Sequence, residues 1–320
     1  MSRTATGPPA GARKRYFPGI TLLGILLAIG CLAPLLANDK PIAVLSAGGL
    51  SFPAAADLGV VGGWFAGTVP PGGHVLSAPI PYSYRGIDLK EAMQPPSRRH
   101  LFGTDALGRD LLARVVHGAA VSLLVGFMAT TLALGLGALL GGVAALRGGL
   151  TDLLLSRIVE VLSCFPPFIL ALALITAGHE GIRTLILAVG LARAAAAARF
   201  MRGEILRWKS GPVFTAARSA GGSLPRIALR HLLPLSAEPL AVQATFGVAY
   251  AILLEATLSF LGVGVQPPTP SWGMVLAEGR ATIETAWWPI LFPSMALALT
   301  LLALGVAAQA ADPGADSPAG

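Results

Sequence analysis

The chain has 320 residues, of which 54% are hydrophobic and only 12% are charged. This composition excludes an ordinary soluble domain and indicates an integral membrane protein. The formal net charge is +7, but the cations lie beside apolar runs, where a cytoplasmic membrane flank explains them better than nucleic-acid binding does. Both cysteines, Cys31 and Cys164, lie inside apolar runs, so we predict neither a disulfide nor a metal pair.

Apolar runs of about 20 residues suffice to cross about 30 Å of hydrocarbon, and they predict an all-α membrane protein with six transmembrane helices. The first run resembles a secretory signal, but its length favours an uncleaved anchor. Two adjacent prolines in the third run predict a kink, and Arg193 makes the fourth run the weakest of the six. In chain order the six runs are 17–37, 119–146, 153–177, 182–198, 239–265 and 288–311.

The cations predict the orientation of these spans. Three cations at 13–15 precede the first span, so residues 1–16 are predicted to be cytoplasmic. Six crossings return the C-terminal tail, 312–320, to the cytoplasm. They also place residues 199–230 there, where seven Lys and Arg residues accompany the single acid Glu204. The positive-inside rule therefore agrees with the count of spans.

Two longer regions complete the predicted organisation. Residues 38–118 are rich in Pro, Gly and Ser and are predicted to form a loop-rich external segment. Residues 119–311 are predicted to form the transmembrane core, with five helices and a cytoplasmic loop over 199–238.

The cytoplasmic loop contains the unusual run FTAARSAGGSLPRIALRHLLP, residues 214–234. Its alanines favour a first helix, the Gly-Gly pair ends that helix, and a second helix is predicted to begin after Ser223 and stop at Pro234. Arg226 and Arg230 share a face of the second helix, while its isoleucine and leucines supply apolar contacts. From the residues alone, a basic amphipathic loop on anionic lipid headgroups is an equally good interpretation.

The pattern AAR...G.....I..RHLLP within this run resembles the coupling segment of inner-membrane subunits of ABC importers. In that family the segment docks in a groove of the ATPase. The resemblance therefore implies that the residues at the matching positions contact an ATPase, and these are Thr215, Ala216, Ala217, Arg218, Gly221, Ile227, Arg230 and Pro234.

Two further stretches narrow the resemblance to the C-type permease subunits of dipeptide, oligopeptide and nickel importers. They are HLFGTDALGRDLLARVVHGAAVSLLVG at 100–126 and EATLSFLGVGVQPPTPSWGMVLAEGR at 255–280. The resemblance implies a type I importer permease fold in the bacterial inner membrane. It also implies a homologous permease as heterodimer partner, two ATPase subunits, an external solute-binding protein, and a peptide or a solute such as nickel as cargo.

Read from its residues alone, GTDALGRD indicates local ion pairing among Asp105, Arg109 and Asp110 at the membrane surface. A metal or catalytic carboxylate pair is a weaker alternative, because no His or further acid stands at ligand spacing. The QPPTPSW segment, 266–272, is predicted to be a stiff turn with an interfacial Trp, and Trp287 with its neighbour is assigned to the same interfacial belt.

Ionisable residues inside membrane spans are costly, so they are candidates for function. Arg157 and Glu160 are three residues apart on one helix face, which favours a self-neutralising pair. Glu255 has no partner nearby in sequence. We therefore take Arg157, Glu160 and Glu255 as candidates for a gate or a subunit interface, and Arg193 as a cation that either snorkels or pairs with a glutamate.

The chain has no phosphate loop of the form G-x-x-x-x-G-K-[ST], no nucleophile elbow and no zinc signature. We therefore predict no catalytic residue, metal site or cofactor, and ATP must be hydrolysed by another chain. A secondary transporter is the main alternative, although no internal repeat and few intramembrane carboxylates support it. A membrane scaffold without transport activity is a further alternative.

The sequence departs from the family pattern at three places. Thr215 stands where a glutamate is usual in the family. Only Asp312-Pro313 matches the usual C-terminal ending, and Arg193 with its alanine run stands where Trp and Pro are common. The first of these departures raises the question of whether a docking helix without its carboxylate still transmits force.

Overall fold

The computed structural model describes residues 10–46, 49–54, 74–179 and 181–311. Helices dominate these residues, which confirms the all-α class. Residues 1–9 of the predicted cytoplasmic N-terminus lie outside the described residues, as does the predicted tail over 312–320 with Asp312-Pro313.

The helices alternate long apolar elements with short connecting ones. They are α1 (Ala10–Cys31), α2 (Ala33–Leu36), α3 (Leu111–Gly137), α4 (Val143–Arg147), α5 (Gly149–Ser163), α6 (Pro167–Ala177), α7 (Ile182–Lys209), α8 (Pro212–Ser219), α9 (Leu224–Ile227), α10 (Leu233–Leu235), α11 (Ala237–Phe260), α12 (Trp272–Arg280) and α13 (Trp288–Ala310). Single π-helical turns join α3 to α4 and α9 to α10, at Ala138–Gly142 and Ala228–Leu232.

The predicted loop-rich segment contains a small sheet that the sequence did not predict. In the described part of this segment, β1 (Ala43–Ser46) lies between β2 (Gly49–Ser51) and β3 (His74–Leu76), and both pairings are antiparallel. The strands are only three or four residues long, so their alternation of apolar and polar residues is too short to be recognised.

Four helices among the described residues are long and apolar enough to cross a membrane: Leu111–Arg147, α7, α11 and α13. The pair α5 and α6 makes a fifth span if the two are counted together, and they meet at an angle of 87°. The described apolar part of α1, Ile20–Cys31, is shorter. Four of the six predicted spans are thus confirmed as long apolar helices, and the crossing number of six stays a prediction.

The sharp bend between α5 and α6 has a local cause. Pro166 precedes α6 with extended backbone angles, and Pro167 is the first helical residue. Neither proline can donate the backbone N–H that would continue α5, so the helix ends and starts again in a new direction. The predicted kink is confirmed, and it is large enough to break the span into two helices.

The Ala-rich helix α7, which was the weakest span by sequence, is the most buried of the four long apolar helices. Ala194, Ala195, Ala197 and Ala198 are each at most 5% exposed. A side chain at Gly141 would collide with the carbonyl of Ala198, so the two backbones lie in close contact. Small residues permit this approach, and here they replace long apolar side chains as the packing surface.

The chain divides into two compact units. The first comprises residues 1–23, 125–255 and 301–320, and it includes α4 to α10 with most of α11. The second comprises residues 24–124 and 256–300, and it includes the sheet, the start of α3 and α12. Each candidate site described below lies within a single unit.

Candidate coupling site

The helix α8 ends in a hydrogen-bonded glycine turn. The N–H of Gly222 donates to the carbonyl of Ala217 at 3.0 Å, and the N–H of Gly221 donates to that of Arg218 at 2.9 Å. This is the Schellman arrangement, which needs a left-handed residue after the helix, and Gly221 supplies it with φ of +80°. The prediction that the Gly-Gly pair ends the first helix is confirmed.

The second helix of the pair begins as predicted but ends later. Ser223 precedes α9, where its carbonyl accepts the N–H of Ile227 at 2.9 Å and its side chain makes no capping bond. The prediction that Pro234 stops the helix is wrong by one residue. Pro234 lies in the last turn of a continuous helical run over 224–235, and the chain turns at Ser236 before α11.

We call residues 212–235 the paired-helix element. Ile227 is 1% exposed and Leu232 is fully buried, and together they pack against Ala145 and Ile205. Partly buried apolar side chains surround this cluster, namely Leu146, Trp208, Phe214 and Ala217. The element is therefore fixed to the helices behind it by a small apolar core.

Two polar contacts brace the helices that support the element. The Lys209 ammonium donates to the carbonyls of Ala145 and Leu146 at 2.7 and 3.0 Å, which satisfies the C-terminal end of α4. Arg202 forms a bidentate pair with Asp152, with both N–O distances at 2.7 Å. Asp152 lies in the first turn of α5, so the carboxylate also favours that helix terminus.

The opposite face of the paired-helix element is exposed. It presents Thr215, Ala216, Arg218 and Arg230, together with Leu229, which is 68% exposed. Of the four residues predicted to supply apolar contacts, Ile227 and Leu232 are the buried anchors, whereas Leu229 and Leu233 are exposed. The element thus combines a cationic and partly apolar outer face with a buried inner face.

The candidate gate residues lie in different environments. Arg157 donates to Glu160 at 2.6 Å, and both side chains are more than half exposed, which confirms the predicted self-neutralising pair. Glu255 is fully buried in α11, and the residue has an interaction partner within the chain. Cys31 and Cys164 are both exposed and free.

In the second unit, four charged side chains form a compact group that we call the Asp105 cluster. Arg109 donates to Asp105 at 2.7 Å and to Glu278 at 2.7 Å, and Arg114 donates to the same two carboxylates. The Arg114 side chain is only 1% exposed. The predicted pairing of Asp105 with Arg109 is confirmed. Glu278, 169 residues later than Arg109, completes the group, and no local pattern predicted it.

The predicted partner Asp110 serves a different purpose. One carboxylate oxygen accepts the N–H of Ala113 at 2.8 Å and caps α3, while the other lies 2.8 Å from Nδ1 of His100. The second ring nitrogen of His100 lies 3.0 Å from Glu91. Because of this cap, α3 begins at Leu111, eight residues before the predicted span. The described residues contain no group of three or more His, Cys, Asp or Glu that could hold a metal.

The tryptophans predicted to lie at the interface are divided between surface and core. Trp272 is 1% exposed and donates its indole N–H to the carbonyl of Val115 at 3.0 Å. Trp288 is buried and donates to Thr104, whereas Trp287 is 54% exposed. Only Trp287 has the exposure expected of an interfacial residue, because the other two indoles have partners inside the protein.

Residues 133–316 match the family described as binding-protein-dependent transport system inner membrane component. The chain belongs to this family. A protein of Brucella suis biovar 1 that carries the name of a peptide transport system permease is 44% identical to it over 218 residues, which are 68% of this permease and 73% of the relative. The dipeptide transport system permease protein DppC of Bacillus subtilis is 38% identical over 227 residues, or 71% of each chain.

A solved structure shows the same fold. One chain of the MetNI methionine ABC transporter, in an inward-facing conformation, aligns with a TM-score of 0.54 and 18% identity. The alignment covers 62% of the permease and 94% of that chain. The type I importer permease fold implied by the sequence motifs is thereby confirmed.

Family membership also establishes the general role. The permease is a multi-pass inner-membrane subunit of an ABC importer, and ATP hydrolysis belongs to a partner subunit. Its assembly includes an ATPase, a solute-binding protein and a permease partner. The secondary-transporter alternative is therefore excluded.

Proposed function

We propose that the permease imports peptides and that its paired-helix element, residues 212–235, is the site at which it contacts the ATPase. The names of the relatives support the peptide cargo. The contact is supported by one observation: the element is anchored behind by Ile227 and Leu232 while its outer face is exposed. A surface that is rigidly held and exposed is suited to transmit a push from a partner.

The proposed assembly is a heterodimer of this chain with a homologous permease, two ATPase subunits and an external binding protein. ATP-driven closure of the ATPases would press on the paired-helix element, and rigid-body rocking of the helices would open the central path to alternate sides. Each permease contributes half of that path.

We further propose that Thr215, Ala216, Arg218, Gly221 and Arg230 touch the ATPase directly. The other three residues matched by the motif, Ala217, Ile227 and Pro234, have different roles in this proposal. The first two hold the element in position from its inner face. Pro234 shapes its end.

Arg157, Glu160 and Glu255 remain candidates for the gate or for the interface between the two permeases. The exposed Arg157–Glu160 pair suits a contact that exchanges partners as the helices rock, because breaking an exposed pair costs little. The buried Glu255 suits a fixed position within α11.

The decisive experiment is co-purification of the tagged permease with its ATPase partner. We expect Arg218→Glu and Gly221→Trp each to reduce ATPase recovery at least tenfold, by reversing a charge and by blocking the turn. Arg183→Glu is the matched control, because Arg183 is exposed at the start of α7 and lies outside the element. Undiminished ATPase recovery with both element variants, or the same loss in the control, would refute the coupling proposal.

We propose that both termini are cytoplasmic, because cations flank the first span and crowd the loop that contains the paired-helix element. In a Cys31→Ser, Cys164→Ser background, we expect cysteines at Ser210 and Thr285 to react with a membrane-impermeant maleimide from opposite sides. Both positions are exposed. Reaction of both positions from the same side would contradict the six-span topology.

A further inference from the structure

Arg193 is a cation near the middle of α7, the most buried of the four long apolar helices. Arg193 is eleven residues after Ile182, which places it about 16 Å along α7. Its guanidinium lies over the ring of Tyr250 in α11, 4.1 Å from the ring centroid. Both helices are long and apolar enough to span a membrane, and both residues belong to the first unit.

Two further polar side chains meet Arg193 at a small cavity. Thr130 of α3 and Gln243 of α11 line this cavity of about 10 Å³ together with Gly247. The Thr130 hydroxyl is buried and has no hydrogen-bond partner among the described residues. Gly247 permits the close approach, because a side chain there would collide with Thr130. Polar groups of three helices thus converge where apolar side chains would be expected.

The charge of Arg193 is not balanced within the described part of the chain, where no carboxylate forms an ion pair with it. An uncompensated cation in a membrane span is costly, and stacking on Tyr250 offsets only part of that cost. The acyl chains supply no counter-charge. Arg193 is partly exposed, so its guanidinium is accessible to an anion from outside the chain.

We propose that Arg193, Tyr250, Gln243 and Thr130 form a site for the terminal carboxylate of the transported solute. This inference rests on the proposed peptide import, and it assigns a substrate contact to the membrane region. A guanidinium presents a planar fork of donors that matches a carboxylate, and the Gln243 amide and Thr130 hydroxyl add donors beside it. The cavity holds one water-sized group, so a carboxylate oxygen enters it while the rest of the solute lies outside.

An acid of the permease partner is the competing source of negative charge. If the solute supplies the charge, loss of Arg193 lowers the uptake of the carboxylate relative to the amide. If an acid of the partner supplies it, loss of Arg193 weakens the association of the two permeases.

The test is ATP-driven uptake by the complete complex in proteoliposomes, with trialanine and trialanine amide as probes. In Arg193→Gln we expect the ratio of carboxylate to amide uptake to fall about tenfold, the effect of losing one charge-assisted contact. Arg193→Lys retains the charge, so its ratio should fall by no more than threefold. Arg183→Gln, on the same helix, should leave the ratio unchanged. Since the same binding protein is used throughout, its own selectivity cancels in the comparison.

An unchanged ratio in Arg193→Gln overturns the proposal. If Arg193→Gln instead releases the permease partner during purification and leaves the ratio unchanged, the cation belongs to the subunit interface, and the proposal is equally overturned.

A second measurement does not depend on ATP hydrolysis. A tripeptide carrying a benzophenone group is crosslinked to the purified complex, and trialanine should compete at least tenfold better than its amide, but only when Arg193 is present. If no variant imports peptide while this competition persists, the import proposal fails and the carboxylate site stands. Equal competition by the two probes overturns the site.

Discussion

The Asp105 cluster and the paired-helix element both contain several charges, and they use them in opposite ways. In the cluster, Arg109 and Arg114 are buried and each contacts two carboxylates. In the element, Arg218 and Arg230 are exposed, and the burial is left to Ile227 and Leu232. Compensated charges hold a loop in one geometry, whereas exposed charges remain available to a partner. The number of charges in a segment therefore says less about function than where their counter-charges lie.

The largest predicted effect concerns the cluster. Arg114→Met should lower the free energy of unfolding by about 3–5 kcal/mol, because it leaves buried carboxylate charge without one of its two cations. The midpoint of thermal unfolding in detergent measures the change. Arg157→Met removes the exposed ion pair and should change stability by less than about 1 kcal/mol. Equal effects of the two substitutions would contradict the distinction between buried and exposed charges.

The second prediction separates the two faces of the paired-helix element. Ile227→Ala should cost about 3 kcal/mol of stability, since it opens a cavity in the anchoring core. Leu229→Ala, two residues away and exposed, should leave stability unchanged within about 0.5 kcal/mol. It should nevertheless reduce ATPase recovery at least fivefold if Leu229 belongs to the docking face. ATPase recovery that stays at the wild-type level in Leu229→Ala would remove the apolar part of that face.

A smaller effect is expected at the turn between the helices. Gly221→Ala should destabilise the permease by about 1–2 kcal/mol, because Gly221 has a left-handed backbone with φ of +80°. The surroundings of Gly221 are open, so no collision adds to this cost. Gly203→Ala is the control, since Gly203 lies in α7 with open space around it and alanine should stabilise the helix by about 0.5–1 kcal/mol. The midpoint of thermal unfolding should therefore fall in Gly221→Ala and rise in Gly203→Ala.

The smallest effect concerns Thr215, which stands where a glutamate is usual in the family. Thr215→Glu places a carboxylate near the N-terminus of α8, which should stabilise that helix by about 0.3–1 kcal/mol. If the family's glutamate contacts the ATPase, recovery of the ATPase should rise about two- to threefold in the co-purification assay. Thr215→Gln adds the same length without the charge and should have no such effect. Reduced recovery with Thr215→Glu would show that the docking surface has adapted to threonine.

Local rules predicted the features that depend on neighbouring residues. The glycine turn after α8, the break at Pro166 and the Arg157–Glu160 pair all follow from residues within a few positions. Rules that use only neighbouring residues failed where the interacting residue lies far away in the sequence. Glu278 and Arg114 are 164 residues apart, and the two Lys209 bonds to the end of α4 cross 64 and 63 positions. One missed feature had a local signal, because an aspartate directly before an apolar run, as at Asp110, predicts a helix start.

Composition identifies a helical membrane protein, and three motifs in order identify an ABC importer permease. The lengths of the apolar runs carry the first conclusion, because the hydrocarbon layer imposes a length on every span, and the resemblance of the three motifs to the family carries the second. The division of each motif into buried anchors and exposed residues follows from packing between distant parts of the chain. Ile227 and Leu229 have similar apolar side chains, yet one is buried and the other is not. The difference arises from the helices that pack behind the element, whose residues lie elsewhere in the chain.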